Sequence, residues 1–150
     1  MTTFSARQTP ITSVVILARI LLALMFVIAG ASKFANLQGT AGYITSGGLP
    51  FGALLAPVVA AVELFFGLAL IVGWQARWAA LGLAVFTIVA SLFFHQFWAV
   101  PAEQAFVQQL MFLKNLAAAG GLLMVFSFGA GPGRAAWTRA APRLLPDQPG

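Results

Sequence analysis

Four apolar stretches, each about twenty residues long, divide this chain and decide what it can fold into. They run from Ile11 to Ser32, Ala53 to Gly73, Trp78 to Trp98 and Phe106 to Phe128. A helix rises about 1.5 Å per residue, so each stretch can cross a hydrocarbon core of ~30 Å. Within lipid the backbone must satisfy its own N–H and C=O groups, which a helix does segment by segment. Charged residues make up 7% of the chain, against roughly 25% in a soluble domain, too few to clothe a water-facing surface. The expected fold is all-α: an integral membrane four-helix bundle with antiparallel neighbours.

The connections follow from turn chemistry. Lys33 to Gly52 carries five of the chain's glycines and Pro50 and reads as a loop, with a short interfacial helix around Phe34 to Ile44. Trp74-Gln75-Ala76-Arg77 is so short that spans two and three must form a hairpin. The third connection, Ala99 to Ala105, holds Pro101 and Glu103. The chain thus divides into an N-terminal segment (1–10), a membrane domain (11–128) and a Pro- and Arg-containing tail (129–150). Four crossings put both termini on one side with Arg7, Arg77, Arg134, Arg139 and Arg143, and leave Lys33 alone on the other. The positive-inside rule makes the terminal side cytoplasmic. Ala29-Gly30-Ala31 resembles a signal-peptide cleavage site, but the preceding apolar run is long for one, and cleavage would carry the C-terminal arginines across the membrane.

Several function classes fall away. The net charge of +5 reflects scarce acids rather than a dense basic patch, so nucleic acid is not an expected partner. With no cysteine there are no disulfides, thiolate metal sites or Cys-held iron–sulfur clusters, and no metal site is expected. One histidine and few carboxylates form no familiar catalytic constellation, so any redox chemistry must use a borrowed cofactor.

The informative residues are the polar ones inside the spans, because a charge at mid-membrane costs roughly 2.5 to 3.5 kcal/mol unless it is paired or hydrated. Arg19, Glu63, His95 and Lys114 each share a helix face with small residues, the surfaces on which membrane helices approach. Arg19 aligns with Ala23, Gly30 and Lys33; Glu63 with Ala56, Ala60 and Gly67; Lys114 with Ala118 and Gly121. Counting residues down each span places Glu63 in depth between Lys114 and Arg19. The expectation is an intramembrane network of Arg19, Glu63, Lys114 and Asn115, serving either as a structural ion-pair cluster or as a ligand site. Lys33 and His95 are outer-side contributors. Lys33 alone would be a headgroup anchor, and His95 an interfacial packing residue rather than a haem ligand, since only Met or Lys could serve as a second axial ligand.

These residues resemble the DoxX/DoxD-like family of small four-helix membrane proteins. The matching pieces are Arg19 followed by Ala29-Gly30-Ala31-Ser32-Lys33-Phe34, Val62-Glu63 leading to Gly67-Leu68-Ala69-Leu70-Ile71-Val72-Gly73, His95-Gln96-Phe97-Trp98, and Phe112-Leu113-Lys114-Asn115-Leu116 running into Gly120-Gly121-Leu122. Arg134-Ala135-Ala136 departs from the Ser and Asp that family members often carry after the glycine turn. The resemblance implies a multi-pass protein of the bacterial inner membrane. Some relatives are membrane subunits of quinone-reducing oxidoreductases, some belong to oxidative-stress complexes, and distant ones assist membrane-protein assembly. The expected function is accordingly a membrane subunit of a redox complex, an accessory rather than a stand-alone enzyme, whose polar cavity takes a quinone-like ligand. A redox partner subunit or a second copy of the chain would be its protein partners. A non-catalytic scaffold is the alternative; transport is weaker, because no inverted repeat or broken helix is visible.

Overall fold

The computed structural model describes residues 9–131. Its order is α1 (Thr9–Ala35), α2 (Leu37–Ser46), α3 (Gly52–Val72), α4 (Ala76–Phe94) and α5 (Ala102–Phe128), with no strand among the described residues. All but α2 are long and apolar enough to cross a membrane. The expected N-terminal segment and tail, with Arg7, Arg134, Arg139 and Arg143, fall largely or wholly outside the described residues.

Local chemistry sets the element ends. Asn36 caps α2 by accepting the Gly39 N–H at 2.9 Å. Gly73, at φ 80°, ends α3 and donates its N–H to Ala69 and Leu70 carbonyls, and the chain enters α4 three residues later. Pro57 lies in the second turn of α3, where its missing N–H leaves only the Ala53 carbonyl without its usual donor. Two bounds differ from the sequence expectation by a full turn. The third span stops at Phe94, so His95 lies outside the helix at its C-cap, where the Gln96 side chain takes the Leu92 carbonyl at 2.8 Å. The fourth begins directly after Pro101 and includes Glu103 and Gln104, because proline is well suited to open a helix and not to continue one.

Around the bundle the helices stand in the order α1, α3, α4, α5, and α5 meets α1 only lightly. Two ends are thereby defined: one, the terminal end, carries the start of α1, the end of α5 and the α3–α4 turn, and the other carries α2 and the α4–α5 connection. The terminal half is solid. Leu70, Leu83 and Leu122 are fully buried there among Ala23, Phe26, Ala79, Ala80 and Ala119. Small residues set the α1–α3 crossing: a Cβ on Gly30 would lie 2.6 Å from the Leu64 nitrogen and 2.9 Å from the Ala60 oxygen. Large apolar side chains such as Leu17, Leu21, Ile28, Leu54, Val58, Phe106 and Leu110 face outward, the arrangement lipid requires.

Candidate functional site

The polar residues separate into two groups, and the separation follows from the direction in which helical side chains lean. Each Cα–Cβ bond tilts toward its own helix N-terminus. Arg19, on α1, therefore leans toward the terminal end, away from Glu63. Its Nη1 donates to the Ala130 carbonyl beyond α5 and its Nη2 to the Ile71 carbonyl of α3 at 3.4 Å. Arg77 performs a matching task at the same end, donating from Nε to the Phe126 carbonyl at 2.8 Å and lying over the Phe126 ring. Both guanidinium groups serve the carbonyl-rich C-terminal ends of neighbouring helices, where cations are favoured. The expected grouping of Arg19 with Glu63, Lys114 and Asn115 is therefore corrected: Arg19 is a clasp at the terminal end.

Glu63 pairs with Lys33. Its Oε2 accepts from Lys33 Nζ at 2.6 Å, with the carboxyl side chain 8% and the lysine side chain 29% exposed. Because α1 and α3 are antiparallel, both side chains lean toward the same level, Lys33 back down its helix and Glu63 up toward α2. Lys33 is therefore no isolated headgroup anchor, and Glu63 is not held between Arg19 and Lys114.

In the α2 half the solid core gives way to a cavity of about 720 Å³. The Lys33–Glu63 pair, Lys114, Asn115 and His95 line it, so all the sequence candidates except Arg19 share one space. Most of the wall is apolar, from Met25, Phe26, Val59, Val85, Phe86 and Phe93 among others. Asn115 Nδ2 donates to Ser91 Oγ at 2.9 Å, and Ser91 in turn donates to the Thr87 carbonyl at 2.8 Å, tying α5 to α4. His95 Nδ1 lies 2.9 Å from Gln108 Oε1, a polar stitch between the α4 end and α5. Tyr43 stacks on Phe94 at 5.0 Å, so α2 covers the cavity's end. The sequence places Ser91 on the helical stripe of His95 with Ala84, but gives no signal for Thr87 or Tyr43.

One side of the cavity lacks a wall. The neighbours α1–α3, α3–α4 and α4–α5 pack along their contacts, but α1 and α5 meet near the terminal end, where Leu22 touches Gly121 and Arg19 reaches Ala130. Toward α2 the two helices part, and Lys114 stands exposed at that opening. Its Nζ has the Met111 thioether at 3.4 Å. The space is a half-open, mostly apolar pocket with a few convergent polar groups, of the size that small-molecule sites have, about 300 to 1,000 Å³. Among the described residues no group of three or more His, Asp or Glu residues is placed to hold a metal ion.

Comparison with known proteins agrees with this architecture. The chain is 36% identical to the inner membrane protein YqjF of Escherichia coli (strain K12) over 117 residues, covering 78% of this chain and 85% of that protein. It is 27% identical to the inner membrane protein YphA of the same organism over 116 residues, 77% of this chain and 83% of the relative. No solved structure matches. Residues 14–96, from the first span through the α4 C-cap, match the DoxX family model, and the chain is a multi-pass helical membrane protein that belongs to the DoxX family.

Proposed function

We propose that this protein is an accessory membrane subunit of a redox complex, and that the cavity between α1, α3, α4 and α5 binds a small hydrophobic molecule with a polar head, such as a quinone. The observation that carries the proposal is the coincidence of a half-open cavity of about 720 Å³ with the chain's scarce intramembrane polar groups. A bundle needing polar residues only for helix registry has no reason to leave so much space beside them, since interiors otherwise pack to crystal-like density. Lys33 and Lys114 can donate to a carbonyl, and Glu63 and Asn115 can accept from a hydroxyl. The chain carries no cysteine, so the electrons come from a cofactor or a partner subunit.

The same reading places the protein in a bacterial inner membrane, as the names of its relatives support, with both termini cytoplasmic by the arginine bias. Solvent extraction of the purified protein followed by analysis for quinone tests the proposal, together with thermal stability on adding a soluble quinone. Bound quinone or ligand-dependent stabilisation supports it; an empty protein indifferent to quinone refutes it. A scaffold role is favoured by one observation, that Arg19 and Glu63 already have partners within the chain. It predicts that Glu63→Gln with Lys114→Met leaves partner binding intact, and loss of a redox activity in that well-folded variant would exclude it.

A further inference from the structure

Among the described residues Lys114 is a cation without an anion. It sits near the middle of α5 at the opening of the cavity, and its named contact is a thioether, a weak acceptor. Among the described residues the acids are Glu63, already bonded to Lys33, and Glu103 in the first turn of α5. Glu103 is about 16 Å away along the helix at the α-helical rise, too far to compensate the ammonium. The Lys33–Glu63 pair is neutral as a unit, so this stretch of the cavity carries one uncompensated positive charge.

Thr87 also lines the cavity, but its hydroxyl, without a hydrogen-bond partner among the described residues, is closed off from the space. Beside Lys114 the wall is formed by Met25, Phe26, Val59, Val85, Phe86 and Phe93, so an occupant that meets the ammonium is otherwise hydrocarbon.

We infer that the cavity holds a single-chain anionic amphiphile, a carboxylate or phosphate monoester whose oxyanion head accepts from Lys114 Nζ, and which enters from the bilayer through the α1–α5 opening. Its hydrocarbon chain lies against the apolar wall that includes Met25, Val59, Val85 and Phe86. The inference rests on the ligand-cavity reading above and narrows it, because a neutral quinone leaves the Lys114 charge unbalanced.

The test uses the full chain, delipidated in a neutral maltoside detergent at alkaline pH, with binding read from thermal stabilisation. The probes are palmitate, hexadecyl phosphate, methyl palmitate and a short-chain quinone. The acids bind at least about tenfold tighter than the ester, as a charge-assisted hydrogen bond provides. Lys114→Met abolishes that ratio and Lys114→Arg preserves it. A preference shared by both acids identifies any oxyanion head, and one confined to a single acid names which head the site takes. Equal affinity for palmitate, hexadecyl phosphate and methyl palmitate, or a ratio that survives Lys114→Met, overturns the inference. Stabilisation by quinone in that case leaves the cavity reading standing, whereas stabilisation by none of the probes removes both.

Discussion

Disrupting the Lys33–Glu63 pair one partner at a time should harm the protein more than removing both. The Glu63 side chain is 8% exposed and Lys33 is 29% exposed, so the two orphans are unequal. Lys33→Met leaves a carboxylate buried with its 2.6 Å donor gone, the situation that costs about 3 to 5 kcal/mol in buried pairs. Glu63→Met leaves an ammonium on a flexible stem that can swing toward the α2 end, and about 1 to 3 kcal/mol is expected. The double variant places two thioether chains of similar length side by side and should fall within about 1 kcal/mol of wild type. The coupling energy is then roughly 3 kcal/mol or more, large for residues on neighbouring helices. Reversible unfolding in bicelles, followed for all four proteins, measures it. Additivity to within about 0.5 kcal/mol would show that the pair does not form in the membrane, and the assignment of Lys33 as the partner of Glu63 would be wrong.

Three further outcomes follow from the geometry. Arg19→Met should destabilise the bundle by about 1 to 3 kcal/mol, because the Ile71 and Ala130 carbonyls lose a charged donor, yet leave ligand binding in the cavity unchanged; a binding defect in folded protein would return Arg19 to the site. Gly30→Val should separate α1 from α3 and cost about 1 to 3 kcal/mol, since the new Cβ meets rigid backbone at 2.6 and 2.9 Å; unchanged stability in the same unfolding assay would contradict the close crossing. The chain has no native cysteine, so Gln75→Cys and Gly42→Cys report topology directly. Labelling of intact cells by a membrane-impermeant maleimide should modify Gly42→Cys and spare Gln75→Cys, and the reverse result would invert the orientation.

The four spans were legible because apolar length is read along the chain, with no knowledge of neighbours. The polar lining of the cavity is more legible in the sequence than the pairing of its side chains. Glu63, Lys114, Asn115, His95 and Lys33 do share a cavity, and the small-residue stripes that suggested so are the faces that pack or line it. Depth counted along the spans at Cα positions misplaces Arg19, because a long side chain ends about a turn nearer its helix N-terminus. The same lean brings Lys33 and Glu63 together from antiparallel helices. Ending the first span at Ser32 also set Lys33 outside the membrane, although it lay on the stripe of Ala23 and Gly30. Thr87 and the α1–α5 opening were beyond reach, since an unpaired hydroxyl and a missing wall are properties of packing alone.

The Arg19 and Arg77 clasps make the two halves of the molecule mechanically unequal. At the terminal end, guanidinium groups bind α1 to the ends of α3 and α5, and α4 to α5, above a filled core. At the other end the Lys33–Glu63 pair ties α1 to α3, hydrogen bonds from Asn115 to Ser91 and between His95 and Gln108 tie α4 to α5, and the Tyr43–Phe94 stack holds α2. Among the described residues none of these joins α1 to α5 across the unfilled space. The bundle is hinged at its terminal end, and its compliance is concentrated where α1 and α5 already stand apart. Swelling of the cavity to admit a bulkier occupant can then proceed by spreading those two helices, with amide exchange fastest in their α2-side halves and slowest beside Leu83 and Leu122.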